Sequence, residues 1–243
     1  MRTTRPYILL ITDSLAFPRR EPEVVRYEET YISLLKAEFP DYDFIHVGRG
    51  GGTIVDLYKH TSYFHATVEP ALVLMQCGIV DCAPRTLTVV EQQIITRLPI
   101  LGTFIGAMVK RYAKHLRRWR GITYTPLSTF IEYIKRFESL YNDVYWIGIL
   151  PAVPEYEAHI NGIAKKINQY NDALRQYQFI STDEFVVDDI MTDFHHLNRS
   201  GHRKMFKKLA DLVRAQLAGN HVCSEESSLL RAKEAQVTHN TEA

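Results

Sequence analysis

The chain has little of what most specialised architectures need. Only three of its 243 residues are cysteine, Cys77, Cys82 and Cys223. An odd number without framework spacing excludes a disulfide-stapled secreted domain and points to a reducing compartment. No segment approaches the roughly 18 apolar residues that a membrane span requires. An excess of one charge is also missing: 29 Lys+Arg face 28 Asp+Glu, a net +1. That balance argues against a dedicated nucleic-acid binder. Arg2 and Arg5 precede a short apolar run, Tyr7 to Ile11, which stops at Thr12-Asp13 without a small-residue cleavage site. It therefore does not read as a secretory signal, and a cytoplasmic protein is expected. What remains is an ordinary globular composition, 46% hydrophobic and 23% charged, which excludes wholesale disorder and fibrous repeats.

Periodicity divides the chain into alternating strands and helices. Continuous apolar runs at 7–12, 43–47, 71–77 and 144–150, with a weaker one at 178–182, read as buried parallel strands. Helical stripes lie between them. Residues 25–39 carry Tyr31, Leu34, Leu35 and Phe39 on one face. Thr129 and Glu132 have capping-box spacing ahead of Ile134, Phe137 and Tyr141. Ile160, Ile163, Ile167 and Leu174 form another stripe, and Met205, Leu209, Leu212 and Leu217 a last one. Strands alternating with helices predict right-handed crossovers and a three-layer α/β/α sandwich. Five strands suit a flavodoxin-like parallel sheet of order 2-1-3-4-5. Its ligands would sit beyond the carboxyl ends of the strands, beside the first one.

Two regions depart from this pattern. A helical insertion is expected at about 86–142 within a domain spanning 1–218. Its Leu98–Val109 part is apolar, and Lys110–Arg120 then carries six Lys/Arg. A helical insertion with a solvated basic face is one reading. A lid, or a peripheral contact with a membrane or partner, is the other. Residues 219–243 are polar and aperiodic and read as a disordered tail.

Chemistry-bearing residues gather at the expected strand ends. Ser14 follows the first strand in Thr12-Asp13-Ser14-Leu15, where a hydroxyl could serve as a nucleophile or simply cap a turn. A base is available after the last strand, in Asp193-Phe194-His195-His196-Leu197. An Asp three residues before a His can orient the imidazole while its other nitrogen faces a serine. The histidines and Asp189 also permit a metal, but the spacing lacks a helical His-x-x-x-His and no cysteine joins them, so no metal is assigned. His202 begins a helical pattern and reads as structural. The glycine-rich Gly48-Arg49-Gly50-Gly51-Gly52-Thr53 allows a phosphate cradle or a tight turn, but lacks a following Gly-Lys-Ser/Thr. Cys77 and Cys82 read as buried apolar cysteines.

Taken in order, Asp13-Ser14-Leu15, the glycine-rich turn, Gly78-Ile79-Val80-Asp81 and Asp193-x-x-His196 resemble the motifs of the SGNH (GDSL-type) hydrolase superfamily across roughly Tyr7 to Leu217. The stretch Gly78-Ile79-Val80-Asp81-Cys82-Ala83-Pro84-Arg85 is similar to a subgroup associated with bacterial surface-polysaccharide biosynthesis. The resemblance implies Ser14 as nucleophile, His196 as general base and Asp193 as its orienter. It implies an oxyanion hole built from the backbone N–H groups of Ser14 and Gly51, with Gly52 as the neighbouring alternative. Asp13, Asp81 and Arg85 fall beside these motifs as candidate substrate contacts, although accepting loop N–H groups is the better reading of Asp81. Where the family usually has an oxyanion-donating Asn, this chain has Val80. Losing one such donor costs about 10²–10³ in rate. Arg85 is an alternative source of positive charge.

These residues imply a serine esterase or deacylase that forms an acyl-enzyme on Ser14. Its substrate would be a small-molecule or glycan O-acyl ester, with a surface-polysaccharide sugar as the carrier that the subgroup suggests. The same triad also serves an O-acyltransferase in glycan biosynthesis, and Val80 allows a non-catalytic binding protein of the same fold. No cofactor and no nucleic-acid partner are implied.

Overall fold

The computed structural model describes residues 5–216, apart from 66 and 100. The segment read as a disordered tail, with Cys223, lies outside the described residues. Five strands, β1 (Tyr7–Thr12), β2 (Asp43–Gly48), β3 (Leu72–Gln76), β4 (Val144–Ile147) and β5 (Phe179–Ile180), form one parallel sheet in the order β2-β1-β3-β4-β5. The helices are α1 (Tyr31–Glu38), α2 (Ile54–His60), α3 (Ile79–Cys82), α4 (Val89–Thr96), α5 (Leu101–Arg111), α6 (Ala113–Arg120), α7 (Leu127–Glu138), α8 (Pro154–His159) and α9 (Ile163–Leu174). A last helix, α10, covers 199–216.

Two helical layers enclose the sheet. On one face α7 packs against α2 and α9. On the other, α1 meets α10 through the Tyr31 N–H donated to His202 Nδ1 at 3.3 Å and through the Arg214–Glu38 ion pair. The strands are buried on both faces, as their unbroken apolar runs require: Ile8, Leu9, Leu10 and Ile11 are all fully buried. Register then fixes where chemistry can occur. Thr12 pairs with Gly48 on one side and Gln76 on the other, so three adjacent strands end together. The loops that follow them face one crevice.

Three boundaries differ from the sequence reading, each for a local reason. The pattern over 25–39 yields a 3₁₀ turn at Tyr27–Glu29 and then α1, because Thr30 caps α1 by accepting the Ser33 N–H. Thr129 and Glu132 form no capping box. Pro126 takes the N-cap position, so α7 starts at Leu127 and both residues fall inside it. The stripe from Ile160 is interrupted: α8 closes on Ile160, and α9 starts only after Gly162, its N-cap, with a φ of 85°. Helix α7 belongs to the enclosing layer, with Phe130, Ile134 and Phe137 fully buried, whereas α4, α5 and α6 bury little beyond Gly102. Among the described residues no helix is long and apolar enough to cross a membrane.

Candidate active site

Ser14 is held where β1 ends. The Asp13 N–H donates to the Gln76 carbonyl of β3 at 2.9 Å, carrying the strand pairing one residue further. The Asp13 carboxylate then accepts the Leu15 N–H at 2.9 Å and opens a 3₁₀ turn over Ser14–Ala16. The Arg19 guanidinium donates to the Ser14 carbonyl at 3.1 Å. Both sides of the serine are therefore fixed by backbone, and its side chain projects from a rigid corner.

The partner groups arrive from the loop before α10. The Met191 N–H donates to the His196 carbonyl at 2.7 Å and the Asn198 N–H to the Asp189 carbonyl at 3.1 Å, which closes the loop at its base. Phe194 adopts a left-handed φ of 69°, unusual for a bulky residue. That turn lets the Asp193 carboxylate fold back on its own loop, where it accepts the His196 N–H at 3.1 Å. His196 Nδ1 lies 2.7 Å from Asp193 Oδ2, and its Nε2 lies 3.0 Å from Ser14 Oγ. The structure thus joins Ser14, His196 and Asp193 in one hydrogen-bonded line across 182 residues of chain.

Electrostatics suit proton transfer along that line. Burial pushes the His196 pKa below the ordinary imidazole value, against the opposing pull of Asp193, so the ring is neutral near pH 7 and able to accept a proton. Burial alone would raise the Asp193 pKa. The hydrogen bond and charge of His196 outweigh it and hold the carboxyl well below the usual range, so it remains an anion facing the imidazole.

Among the described residues, the N–H groups of Ser14 and Gly51 have no protein acceptor. The Gly52 N–H is occupied by the Arg49 carbonyl at 3.2 Å, which separates the two glycine candidates. Gly51 needs its φ of 65°, a conformation glycine adopts without steric cost. Val80 lines a cleft of about 220 Å³ together with Arg85, Tyr156, Ile160, Asp193 and His195. Its side chain offers no donor there.

No protein-family model and no curated protein matches this chain. Solved structures do. A lipase/acylhydrolase from Enterococcus faecalis superposes with a TM-score of 0.58 at 14% identity, over 87% of this chain and 96% of its own. The acetyl xylan esterase AlAXEase gives 0.54 at 20% identity, over 85% and 99%. A member of the lipolytic G-D-S-L family from Veillonella parvula gives 0.53 at 15%, over 84% and 96%. The chain has the SGNH hydrolase fold. At these identities the likeness is one of architecture, and what the site does must be argued from its own residues.

Within this SGNH fold, two candidate substrate contacts, Asp13 and Asp81, are buried, and Asp81 instead takes the role of loop N–H acceptor that was also expected of it. Asp13 is 1% exposed and Asp81 is 0% exposed, so neither carboxylate reaches the cleft. Asp13 serves the Ser14 turn, as described. Asp81 accepts the Ile54 N–H through both oxygens, at 3.0 and 3.2 Å, and thereby ties the start of α2, just after the Gly51 turn, to α3. Burial lifts the Asp13 pKa to about 7 and that of Asp81 to about 6. Arg85, in contrast, does line the cleft.

Other neighbours were not legible in the sequence. Arg19 lies in a loop without periodicity. His46, on β2, places Nε2 2.8 Å from Thr12 Oγ1 beneath the strand ends. His195 stacks on Tyr156 with centroids 5.9 Å apart. Asp193, His195 and His196 bring ligand-type atoms within 4.8 Å of one another. Both ring nitrogens of His196 already face Ser14 and Asp193, so a metal there would have to break the line. Asp189 stands apart from them, paired with Lys204 at 2.7 Å.

Proposed function

We propose that this chain is a serine esterase or deacylase of the SGNH type, with Ser14 as nucleophile, His196 as general base and Asp193 as its orienter. The observation that carries this reading is the 3.0 Å contact between Ser14 Oγ and a buried, neutral His196 whose other nitrogen is held by Asp193. His196 Nε2 takes the hydroxyl proton as Ser14 Oγ attacks the ester carbonyl. The oxyanion accepts hydrogen bonds from the Ser14 and Gly51 N–H groups. Collapse expels the alkoxide, which takes the proton from His196, and water then releases the acid from Ser14 by the same steps. The substrate is an O-acyl ester of a small molecule or glycan. An acetyl xylan esterase among the structural neighbours supports an acylated sugar as carrier. Hydrolysis of 4-nitrophenyl acetate and of acetylated sugars by purified protein tests the reading. Activity is expected to vanish in Ser14→Ala, and undiminished activity in that variant would refute it.

We also propose that α5 and α6 contact an anionic membrane surface. Leu101, Phe104, Met108 and Tyr112 recur at helical spacing yet face outward, and Phe104 is 66% exposed. Trp119 is 84% exposed on α6. Between Glu91 and Glu132 the chain has no acidic residue but seven basic ones: Arg97, Lys110, Arg111, Lys114, Arg117, Arg118 and Arg120. An outward apolar stripe with that charge is the signature of an interfacial helix on the cytoplasmic leaflet. The full chain should cosediment with vesicles containing phosphatidylglycerol and not with pure phosphatidylcholine, and added salt or Phe104→Ser with Trp119→Ser should release it. Absence of vesicle binding at low salt, or a stable dimer that covers this face, would remove the proposal.

A further inference from the structure

Next to the cleft lies a second cavity, of about 230 Å³, lined by Arg85, Arg117, Thr86, Gln92, Tyr124 and Ile160 among others. Among the described residues no Asp or Glu lines it. Its two arginines are fixed but not satisfied. The Arg85 backbone is pinned by donating to the Ile122 carbonyl at 2.8 Å, and its guanidinium lies 4.1 Å above the Tyr124 ring. Arg117 reaches over from α6 and donates through Nη1 to the His159 carbonyl at 3.3 Å. Among the described residues the Nε of each is buried without an acceptor.

The contrast with Arg120, one turn further along α6, is informative. Its guanidinium makes two hydrogen bonds to the Glu91 carboxylate, at 2.9 and 2.7 Å. The fold therefore supplies a carboxylate to one arginine of this helix and withholds it from another that points into a cavity. Leaving a buried charged donor unpaired is costly. A planar, fork-shaped donor held against a ring is suited to a carboxylate or phosphate.

Arg85 and Ile160 line both cavities, so the second opens beside the first along a shared wall. We propose that Arg85 and Arg117 form an anion subsite that holds a carboxylate or phosphate group carried by the substrate. Resting on the esterase reading for what the anion is attached to, this makes the preferred substrate an anionic O-acyl ester. The ester would lie toward the Asp193–His196 loop and the anion between the two guanidinium groups.

The subsite is tested without turnover. In Ser14→Ala protein, the Arg Nε–Hε resonances are followed by NMR during titration with inorganic phosphate and, separately, glucuronate, with glucose as the neutral control. Saturable shifts of the Arg85 and Arg117 signals are expected with an anion and not with glucose. The tighter probe identifies the group. Arg85→Gln and Arg117→Gln should each weaken that binding at least ten-fold. Unmoved arginine signals in the parent protein, or equal binding in both variants, would overturn the proposal. Anion binding at these arginines in a protein whose wild type hydrolyses no ester would leave the subsite standing and refute the esterase reading instead.

Discussion

The strand-end crevice and the α4–α6 excursion are built on opposite principles. In the crevice the groups of the candidate site are tied to backbone: Asp13 to the end of β3, Asp193 and His196 within a loop closed on itself, and the start of α2, after the Gly51 turn, to the Asp81 carboxylate. The excursion is attached through few links, among them the Arg85–Ile122 bridge and the Arg117–His159 contact, and it turns large apolar side chains outward. Anchoring is concentrated where the proposed proton transfer would need close placement. Exposed apolar and basic surface is concentrated where a substrate's charged part or a lipid surface would be met.

The sharpest way to break this comparison is at the crevice. Ser14→Ala or His196→Ala should lower kcat by about 10⁴–10⁶, and Asp193→Asn by about 10⁴, with circular dichroism unchanged. The same loss from Phe104→Ala would contradict the division. Stability should divide in the same way. Phe130→Ala, which empties the site packed against Tyr170 at 4.9 Å, should cost about 3–5 kcal/mol by urea unfolding. Phe104→Ala should stay within about 0.5 kcal/mol.

Val80→Asn sharpens the account of the oxyanion site. Placing a donor on the cleft wall should raise kcat about ten-fold or more, toward the value of one such donor. A decrease would mean that the wall has been rebuilt around other groups. The smallest effect concerns pH. Burial raises the folded-state pKa of Asp13 to about 7, above its unfolded value near 4. Its favourable contribution is therefore complete below about pH 4 and is lost as pH rises through 7. Asp13→Asn keeps an oxygen for the Leu15 N–H and removes the ionisation. Its Tm relative to wild type should rise from pH 5 to about 7 and level off above, and a flat difference would show that Asp13 is already ionised in the fold at pH 5.

The sequence disclosed the crevice more fully than the excursion, for physical reasons. Buried parallel strands must be apolar throughout, so their runs are visible, and strand ends can be read from them. Ser14, Asp193 and His196 stand at those ends. Burial of Asp13 and Asp81 was not visible, because it depends on how the loops fold over them. Arg19 and Arg117 come from segments whose periodicity says nothing about the direction of a side chain. The N-terminus of α7 was misplaced by three residues because Thr129 offered capping chemistry while Pro126 imposed backbone geometry, and geometry won.

The most direct test of the central claim is covalent labelling of the purified full chain with a fluorophosphonate, in wild type, Ser14→Ala and His196→Ala. The geometry predicts stoichiometric labelling of wild type on Ser14 and none in either variant, because only a serine activated by its histidine reacts at such a rate. Well-folded wild type that resists the probe, or label that persists in Ser14→Ala, would contradict it.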